Sequence, residues 1–248
     1  MTIRREREWY AISLRPQGQH RRLRDAAARA GGHLLALSPL RIVALDDAET
    51  RSRLGDALAA PRCIFTSPNA VACAARLQEL ATSRAIAVGA GTAAELRRHG
   101  IATVVAPERM DSEGLLDLAE LRDVAGRRIG LVTGEGGRGL IERTLGERGA
   151  DVVRADVYRR ELAEFSPALL RRFDAFPAAA VLFVTSAEAL DAALDQLDGE
   201  RRAKLLAMPA VVASERLRAA CAQAGFGKIV VAASARPADL VLAANALA

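Results

Sequence analysis

Hydroxyl groups placed just before helical patterns are the residues of this 248-residue chain that could do chemistry. In "CIFTSPNAVACAARL", residues 63–77, an apolar run ends in "TSPN", which contains Ser67 and Asn69, and small residues with helical spacing follow. "LFVTSAEALDAAL", residues 182–194, repeats the pattern with Ser186. A hydroxyl at such a position can contact a ligand. Its alternative role is that of an N-cap, which stabilises a helix by about 1 kcal/mol.

Five hydroxyl groups stand where a strand or a loop gives way to a helical pattern: those of Ser67, Thr92, Ser112, Ser186 and Ser214. Because the carboxyl ends of parallel strands lie along one edge of a sheet, we expect several of these groups to line one ligand cleft. "SPNA" lacks the glycines of a nucleophile elbow and has no accompanying His–Asp pair, so nucleophilic catalysis is not favoured.

Two acidic residues flank Ser112, namely Asp111 and Glu113 in "ERMDSEGLL". Acidic groups at the start of a helix interact favourably with its dipole. We therefore predict that they cap and charge a helix start rather than act as a paired acid and base.

Tyr158, one of two tyrosines, is the candidate proton donor and stands in "DVYRR". A phenol keeps its proton at neutral pH and can donate it to a departing oxygen. The alternative is a structural aromatic side chain at a domain junction, with Arg159 and Arg160 as solvated charges.

A glycine-rich stretch, "GEGGRG" at 134–139, fits the pattern G-x-G-x-x-G, and Asp156 follows about twenty residues later. This is the spacing of a dinucleotide-binding fingerprint, so a nucleotide-dependent oxidoreductase is one alternative. The matching turn "RPQGQHR" at 15–21 lacks the glycines. That difference favours a tight turn, or anion contacts by backbone N–H groups and Arg138.

The charge balance permits an anionic partner without demanding one, since 35 Lys and Arg stand against 30 Asp and Glu. Only two of the basic residues are lysines, and no basic run is interleaved with aromatic residues as in a single-strand binder. We therefore expect a negatively charged small molecule and no nucleic acid. No run approaches the ~20 apolar residues of a membrane span, and no apolar signal core follows the charged start. We accordingly expect a cytoplasmic protein without a membrane partner.

Metal chemistry is not expected. Cys63, Cys73 and Cys221 lack the paired spacing of a zinc site and are predicted to be buried thiols. The histidines are far apart in sequence, and His20 and His99 stand among arginines, where we expect them to be solvated.

The elements that must position these groups alternate along the chain. Short apolar runs are separated by segments of helical period rich in Ala, Leu and Arg, which predicts an α/β fold with parallel sheets flanked by helices. The chain also repeats itself: "AVGAGTAAELRRHGIATVVAPE" (87–108) is echoed by "VVASERLRAACAQAGFGKIVVAAS" (211–234), and "IGLVTGEGGRGLIERTLGERGADVV" (129–153) by "YAISLRPQGQHRRLRDAAARAGGHL" (10–34). Two copies of one β/α unit are therefore expected.

The repeat predicts two similar lobes rather than one domain. Residues 1–38 together with 161–248 are expected to form a discontinuous α/β domain, and residues 41–157 a continuous one. The connections near 38–42 and 157–161 occupy equivalent places in the repeat, which suggests a paired two-strand hinge. A cleft between the lobes would be the natural ligand site.

The chain resembles the uroporphyrinogen-III synthase family. The resemblance is carried, in this order, by "FTSPNAV" (65–71), "VGAGTAAEL" (88–96), "DSEGLL" (111–116), "GGRGLIERTLGERGADVVRADVYRR" (136–160) and "VLFVTSAEAL" (181–190). It implies two α/β lobes joined by two strands. It also implies a cofactor-free monomeric enzyme of heme biosynthesis that converts linear hydroxymethylbilane to uroporphyrinogen III, with loss of water and inversion of the last pyrrole ring.

The same resemblance implies roles for individual residues. Tyr158 would assist the departing hydroxyl, and the groups that would bind the polycarboxylate tetrapyrrole are Arg15, Ser67, Asn69, Thr92, Ser112, Arg138, Ser186 and Ser214. The sequence departs from the pattern of this family in two places. "ISLRP" lacks the Thr that often precedes the Arg, and "SERL" (214–217) replaces a Thr pair of some relatives. A non-catalytic two-lobed tetrapyrrole binder stays open as an alternative, because substrate binding and catalysis would use the same cleft.

Overall fold

The computed structural model describes residues 8–136 and 139–247, and these residues form two compact units. Ile42–Arg160 forms one, called here the central unit. The described residues before Ile42 and after Arg160 form the other, called here the terminal unit. The chain passes between the units within the strand Leu40–Ala44 and again within the strand Asp151–Leu162.

Strands and helices alternate along the chain. The first elements are β1 (Trp9–Ser13), α1 (Arg21–Arg29), β2 (Gly32–Ala36), β3 (Leu40–Ala44), α2 (Ala48–Leu58), β4 (Arg62–Phe65), α3 (Pro68–Leu77), β5 (Ala85–Ala87), α4 (Ala90–Arg98) and β6 (Val104–Val105). There follow α5 (Ser112–Leu116), a 3-10 helix (Ala119–Leu121), β7 (Arg128–Gly134), α6 (Leu140–Glu147), β8 (Asp151–Leu162), α7 (Pro167–Asp174), β9 (Val181–Val184), α8 (Ala187–Asp195), α9 (Gly199–Leu206), β10 (Ala210–Val212), α10 (Glu215–Ala224), β11 (Ile229–Val231) and α11 (Pro237–Asn245).

The two sheets share one strand order, as the internal repeat requires. The terminal unit has the order β2-β1-β9-β10-β11, and the other sheet has the matching order β8-β7-β4-β5-β6 with β3 added beyond β8. The neighbours within each matching set of five are paired in parallel. The predicted α/β class with two similar parallel sheets is therefore confirmed.

Each sheet is covered by helices on both faces, which explains why its strands are largely continuous apolar runs rather than alternating ones. In β9, Leu182 and Val184 point into one hydrophobic cluster of the terminal unit, whereas Val181 and Phe183 point into another. The central unit repeats this division, since Phe65 belongs to one cluster and Ile64 to a second. Because both faces of β4, β9 and β10 are used for packing, Ser67, Ser186 and Ser214 lie beyond the ends of these strands.

Helix starts are placed by local chemistry. Ser67, Ser186 and Ser214 adopt extended backbone angles before α3, α8 and α10, and Pro68 occupies the first turn of α3, where its missing N–H costs nothing. Among the described residues, none of the helices combines the length and apolar character needed to cross a membrane.

Candidate active site

A phenol and a serine hydroxyl meet in the central unit. Tyr158 on β8 is 5% exposed, and its hydroxyl oxygen lies 3.2 Å from Oγ of Ser67. The same Oγ accepts the backbone N–H of Ala70 at 3.1 Å and so caps α3. Ser67 thus both caps a helix and contacts the phenol, and either hydroxyl can act as the donor between them.

A sheet irregularity and a glycine make room for the tyrosine ring. Thr133 on β7 is opposite Asp156, but the next residue, Gly134, is opposite Tyr158, so β8 carries one extra residue at this point. A β-bulge of this kind re-aims the side chain that follows it. A Cβ atom on Gly134 would lie 2.4 Å from Cζ of Tyr158, so only glycine leaves space for the ring.

A guanidinium stands beside the same phenol. Nη1 of Arg160 lies 3.5 Å from the Tyr158 hydroxyl oxygen, and Nη2 donates to the carbonyl of Glu135 at 3.2 Å. Arg160 was expected to be either a solvated hinge charge or a functional residue, and these contacts turn its charge toward the phenol oxygen. A positive charge there stabilises electron density on that oxygen when a proton leaves it.

The ends of β4 and β7 carry a second hydroxyl pair. Thr66 Oγ1 donates to Thr133 Oγ1 at 2.8 Å, and both side chains are half-buried. Sequence reasoning did not single out Thr133, and it considered Gly134 only as the first glycine of the dinucleotide pattern. The signal that could have found this role is "VTG" at the end of an apolar run, since the carboxyl ends of parallel strands collect ligand-binding groups.

In the terminal unit, three predicted groups follow neighbouring strands. Ser186 follows β9 and accepts the N–H of Ala189 at 3.3 Å, and Ser214 follows β10 and accepts the N–H of Leu217 at 3.4 Å. Arg15 follows β1, the other neighbour of β9. All three therefore stand at the carboxyl edge of one sheet, where open α/β sheets bind ligands.

Arg15 is held with part of its guanidinium unsatisfied. Nη2 donates to the carbonyl of Ala235 at 2.7 Å, while the buried Nε has no hydrogen-bond partner among the described residues. Burial lowers the pKa of Arg15, and the charge of Arg22 lowers it further. Both effects favour an anionic partner for this side chain.

Two of the five hydroxyl groups singled out in the sequence are not N-caps. Ser112 is already the first helical residue of α5, and Asp111 caps that helix by accepting the N–H of Gly114 at 2.7 Å. The predicted capping role of Asp111 is thereby confirmed. Thr92 lies inside the first turn of α4, whose N-cap is Gly89, and its side chain is 3% exposed.

The remaining candidates divide between the described residues and those outside them. Asn69 lies in the first turn of α3 and is half-buried. Arg138 lies outside the described residues. The structure thus brings Ser67, which follows β4, into contact with Tyr158, which is opposite the last residue of β7, and places Asn69 in the helix that Ser67 caps.

Arg154 on β8 joins the start of the glycine-rich stretch by a hydrogen bond and is itself held by ion pairs. Asp156, the acid of the dinucleotide pattern, is paired with Arg154 at 2.9 Å, and Arg154 also bonds Glu142 at 2.7 Å and the carbonyl of Gly136 at 3.3 Å. The carboxylates raise the pKa of Arg154, Asp156 most strongly. Asp156, the acid that the dinucleotide alternative would use, is therefore held in an ion pair with an arginine of its own strand.

Burial corrects one expectation and confirms another. His20 is 4% exposed rather than solvated: it is the N-cap residue of α1, and its ring contacts the hydroxyl of Ser38. His99 is exposed, as expected. The three cysteines are free and buried, which confirms their predicted state, and burial raises the pKa of Cys63 to about 12.

The fold and the placement of these groups define a class: a two-unit α/β protein with parallel sheets, whose polar groups follow the carboxyl ends of the strands. The model of one family, described as Uroporphyrinogen-III synthase HemD, matches residues 21–241 of the chain. The chain therefore belongs to the uroporphyrinogen-III synthase family.

Two curated relatives are similar over part of their length. A segment of 152 residues is 35% identical to the uroporphyrinogen-III synthase of Escherichia coli K12, covering 60% of this chain and 61% of the relative. A segment of 53 residues is 45% identical to that of Salmonella typhimurium LT2, covering 21% of this chain and 22% of the relative. The aligned segments thus span less than two thirds of either relative.

Solved structures show the same fold. A mutant uroporphyrinogen III synthase of Thermus thermophilus matches with a TM-score of 0.61 and 16% identity, covering 96% of this chain and 98% of that one. The uroporphyrinogen-III synthetase of Helicobacter pylori 26695 matches with a TM-score of 0.62 and 16% identity, covering 97% and 100%. At these identities the likeness concerns the fold alone.

Proposed function

We propose that this protein converts hydroxymethylbilane to uroporphyrinogen III, with loss of water and inversion of the last pyrrole ring. The family match over residues 21–241 carries the proposal. The proposal includes a cytoplasmic monomer that acts without a cofactor, on the free tetrapyrrole rather than on nucleic acid or a membrane.

The first chemical step breaks the C–O bond of the terminal hydroxymethyl group. The adjacent pyrrole nitrogen supplies the electron pair, which leaves an azafulvene cation, and the departing hydroxyl takes a proton to become water. Tyr158 would donate that proton through the hydroxyl that Ser67 positions at 3.2 Å. Arg160 would stabilise the resulting phenolate from its place 3.5 Å away.

The later steps rearrange carbon bonds and need no further acid. The terminal pyrrole attacks the cation through its own α-carbon that already carries a methylene group, which gives a spiro intermediate. The old methylene bond to that carbon then breaks. The ring recloses at the free α-carbon of the same pyrrole. The proton lost from that carbon at closure restores the phenol, so the overall change is loss of one water. A site that performs this sequence has to hold ring orientation more than it has to transfer protons.

Carboxylate binding would supply the orientation. Helix N-termini and arginines attract anions, and the substrate carries many carboxylates. In the central unit the proposed contacts are Ser67, Asn69, Thr92 and Ser112, with Arg138 beyond the described residues. In the terminal unit they are Arg15, Ser186 and Ser214.

The discriminating experiment gives the protein freshly generated hydroxymethylbilane and separates the type I and type III isomers after oxidation. Without catalysis the bilane closes without inversion, so the proposal expects an excess of type III. Type I alone would contradict it. A protein that binds the product with measurable affinity but yields type I alone would be the non-catalytic binder.

A further inference from the structure

A cavity of ≈ 340 Å³ lies beside the N-terminus of α1 in the terminal unit. Its wall combines two guanidinium groups, an imidazole and a hydroxyl with two apolar side chains; these belong to Arg21, Arg24, His20, Ser38, Ala36 and Leu169. No acidic side chain is among the described residues that line it. The cavity stands at the carboxyl ends of β1 and β2, on the sheet edge that Ser186 and Ser214 also follow.

The imidazole of His20 is buried and only half satisfied. Nε2 lies 2.6 Å from Oγ of Ser38, while the buried Nδ1 has no hydrogen-bond partner in the described part of the chain. Leaving a buried polar atom without a partner costs about 1–3 kcal/mol, so such an atom calls for an explanation. If Ser38 donates to Nε2, the proton of the neutral ring is on Nδ1, which is then a donor ready for an acceptor.

The helix start beside it attracts negative charge. α1 has nine residues, no side chain of the described residues caps it, and its first turn contains no acid. Its first backbone N–H groups are therefore available to an anion. Arg24 and Arg15 add positive charge near the ring. Burial first, and then these two charges, lower the pKa of His20 to about 4. Arg21 approaches Asp25 only at 4.0 Å, with both side chains largely exposed.

The mixed lining selects the chemistry of the ligand. Arginines and an imidazole N–H match the oxygens of a carboxylate, which an arginine can bind in bidentate fashion. Ala36 and Leu169 offer apolar surface that inorganic phosphate could not use but an alkyl stem could. The combination therefore favours an anionic head on a short hydrocarbon chain.

We propose that this cavity binds a carboxylate group on a short alkyl stem, with Arg21 and Arg24 pairing with the carboxylate and Nδ1 of His20 donating to it. The carboxylate can come from a free small acid or, if the function proposed above holds, from a side chain of the tetrapyrrole. Both sources share this chemistry, and the experiment separates them.

The test follows imidazole NMR signals during titration with sodium propionate at constant ionic strength. The chain has three histidines, so His20→Gln assigns the His20 signal directly, with His33 and His99 as internal references. We expect a saturable shift confined to His20, and about tenfold weaker binding in Arg24→Gln, the loss of one charge-assisted contact. Arg29→Gln, in the last turn of the same helix, is the matched control and should bind propionate normally.

Three results would overturn the proposal. One is a His20 signal that shifts no more with propionate than with sodium chloride. Another is an equal shift with inorganic phosphate, which would remove the role of the alkyl stem. The third is unchanged propionate affinity in Arg24→Gln.

A second titration uses reduced uroporphyrinogen III and identifies the source of the carboxylate. A His20 shift, together with a raised KM for the bilane in Arg24→Gln, assigns the cavity to a side chain of the tetrapyrrole. A shift with propionate but not with the tetrapyrrole assigns it to a free small acid, and either result supports the site. The isomer assay is independent of both titrations: type III product without a propionate site would leave the function standing, and a propionate site with type I product would leave the cavity standing.

Discussion

The hydroxyl oxygen of Tyr158 lies 3.2 Å from Oγ of Ser67, the residue that caps α3. The two residues are 91 positions apart in sequence, and the contact links strand β8 to the start of α3. The helix cap fixes the position of the Ser67 hydroxyl. Because Tyr158 contacts that hydroxyl, the position of the phenol is fixed as well. A proton donor fixed in this way needs little reorganisation when it acts.

Replacing Tyr158 by Phe is expected to lower turnover about 100-fold or more, the usual contribution of a positioned general acid. The ring still fills its space, so the free energy of unfolding should fall by only about 1 kcal/mol, the worth of one hydrogen bond. Initial rates with bilane and a denaturant titration measure the two effects. Tyr10→Phe, at the other tyrosine, is the matched control, and an unchanged rate for Tyr158→Phe would remove the phenol from the mechanism.

Ser67→Ala should affect both stability and turnover. Loss of the cap costs about 1 kcal/mol, and the phenol also loses its hydroxyl contact. Ser166, which caps α7 by accepting the N–H of Leu169 at 3.2 Å, provides a control that loses only a cap. Denaturation and steady-state rates should show similar destabilisation in both variants and a lower kcat only in Ser67→Ala. Equal kcat values in the two variants would show that Ser67 acts only as a cap.

Gly134→Ala should displace the ring of Tyr158, because the added Cβ would lie 2.4 Å from Cζ. Overpacking of this kind costs about 1–3 kcal/mol, and turnover should fall together with stability. Gly146→Ala on α6 is the control, since nothing lies within 4 Å of its Cβ position and alanine favours a helix. A crystal structure and rates of both variants check this. Normal turnover in Gly134→Ala would mean that the position of the ring is not critical.

His20 should make stability depend on pH. Its pKa is lowered to about 4 by burial first, and then by the charges of Arg24 and Arg15. The unfolded chain therefore binds the proton more readily, near the ordinary histidine pKa of about 6.5. Stability from the neutral ring is present above about pH 6.5 and is lost as the pH falls toward 4, by about 3 kcal/mol in all.

Denaturant titrations across this range measure the effect, with the wild type and His20→Gln compared. His20→Gln should flatten the slope between pH 6.5 and pH 4. Identical slopes in the wild type and His20→Gln would contradict the burial of a neutral His20.

The cysteines should be inert in the folded protein. Burial raises the pKa of Cys63 to about 12 and that of Cys221 to about 11, and it also raises that of Cys73. Since the thiolate is the reactive form, a thiol reagent at neutral pH should label the native protein slowly. All three cysteines should react in denaturant, as a mass spectrum of the labelled chain would show. Rapid native labelling of Cys63 would contradict its burial.

Local patterns were enough to predict most of the architecture. Continuous apolar runs indicated strands buried on both faces, and the internal repeat indicated two sheets of one strand order, because both signals depend on residues close in the chain or on copies of them. The same holds for the cap by Asp111, whose carboxylate reaches an N–H only three residues away. The sequence indicated β3 as one strand of a paired two-strand hinge near 38–42 and 157–161, and the structure places β3 beside β8.

Contacts between distant residues decided the rest. Sequence spacing alone could not show that Gly134 leaves room for the ring of Tyr158, that Arg160 turns toward the phenol, or that Thr92 is buried. His20 shows the reason most clearly: its arginine neighbours in sequence suggested solvent, but the chain folds it against Ser38, 18 residues away. Hydropathy and capping are local properties that the sequence determines by itself, whereas burial and the pairing of polar groups depend on which segments the tertiary structure packs together.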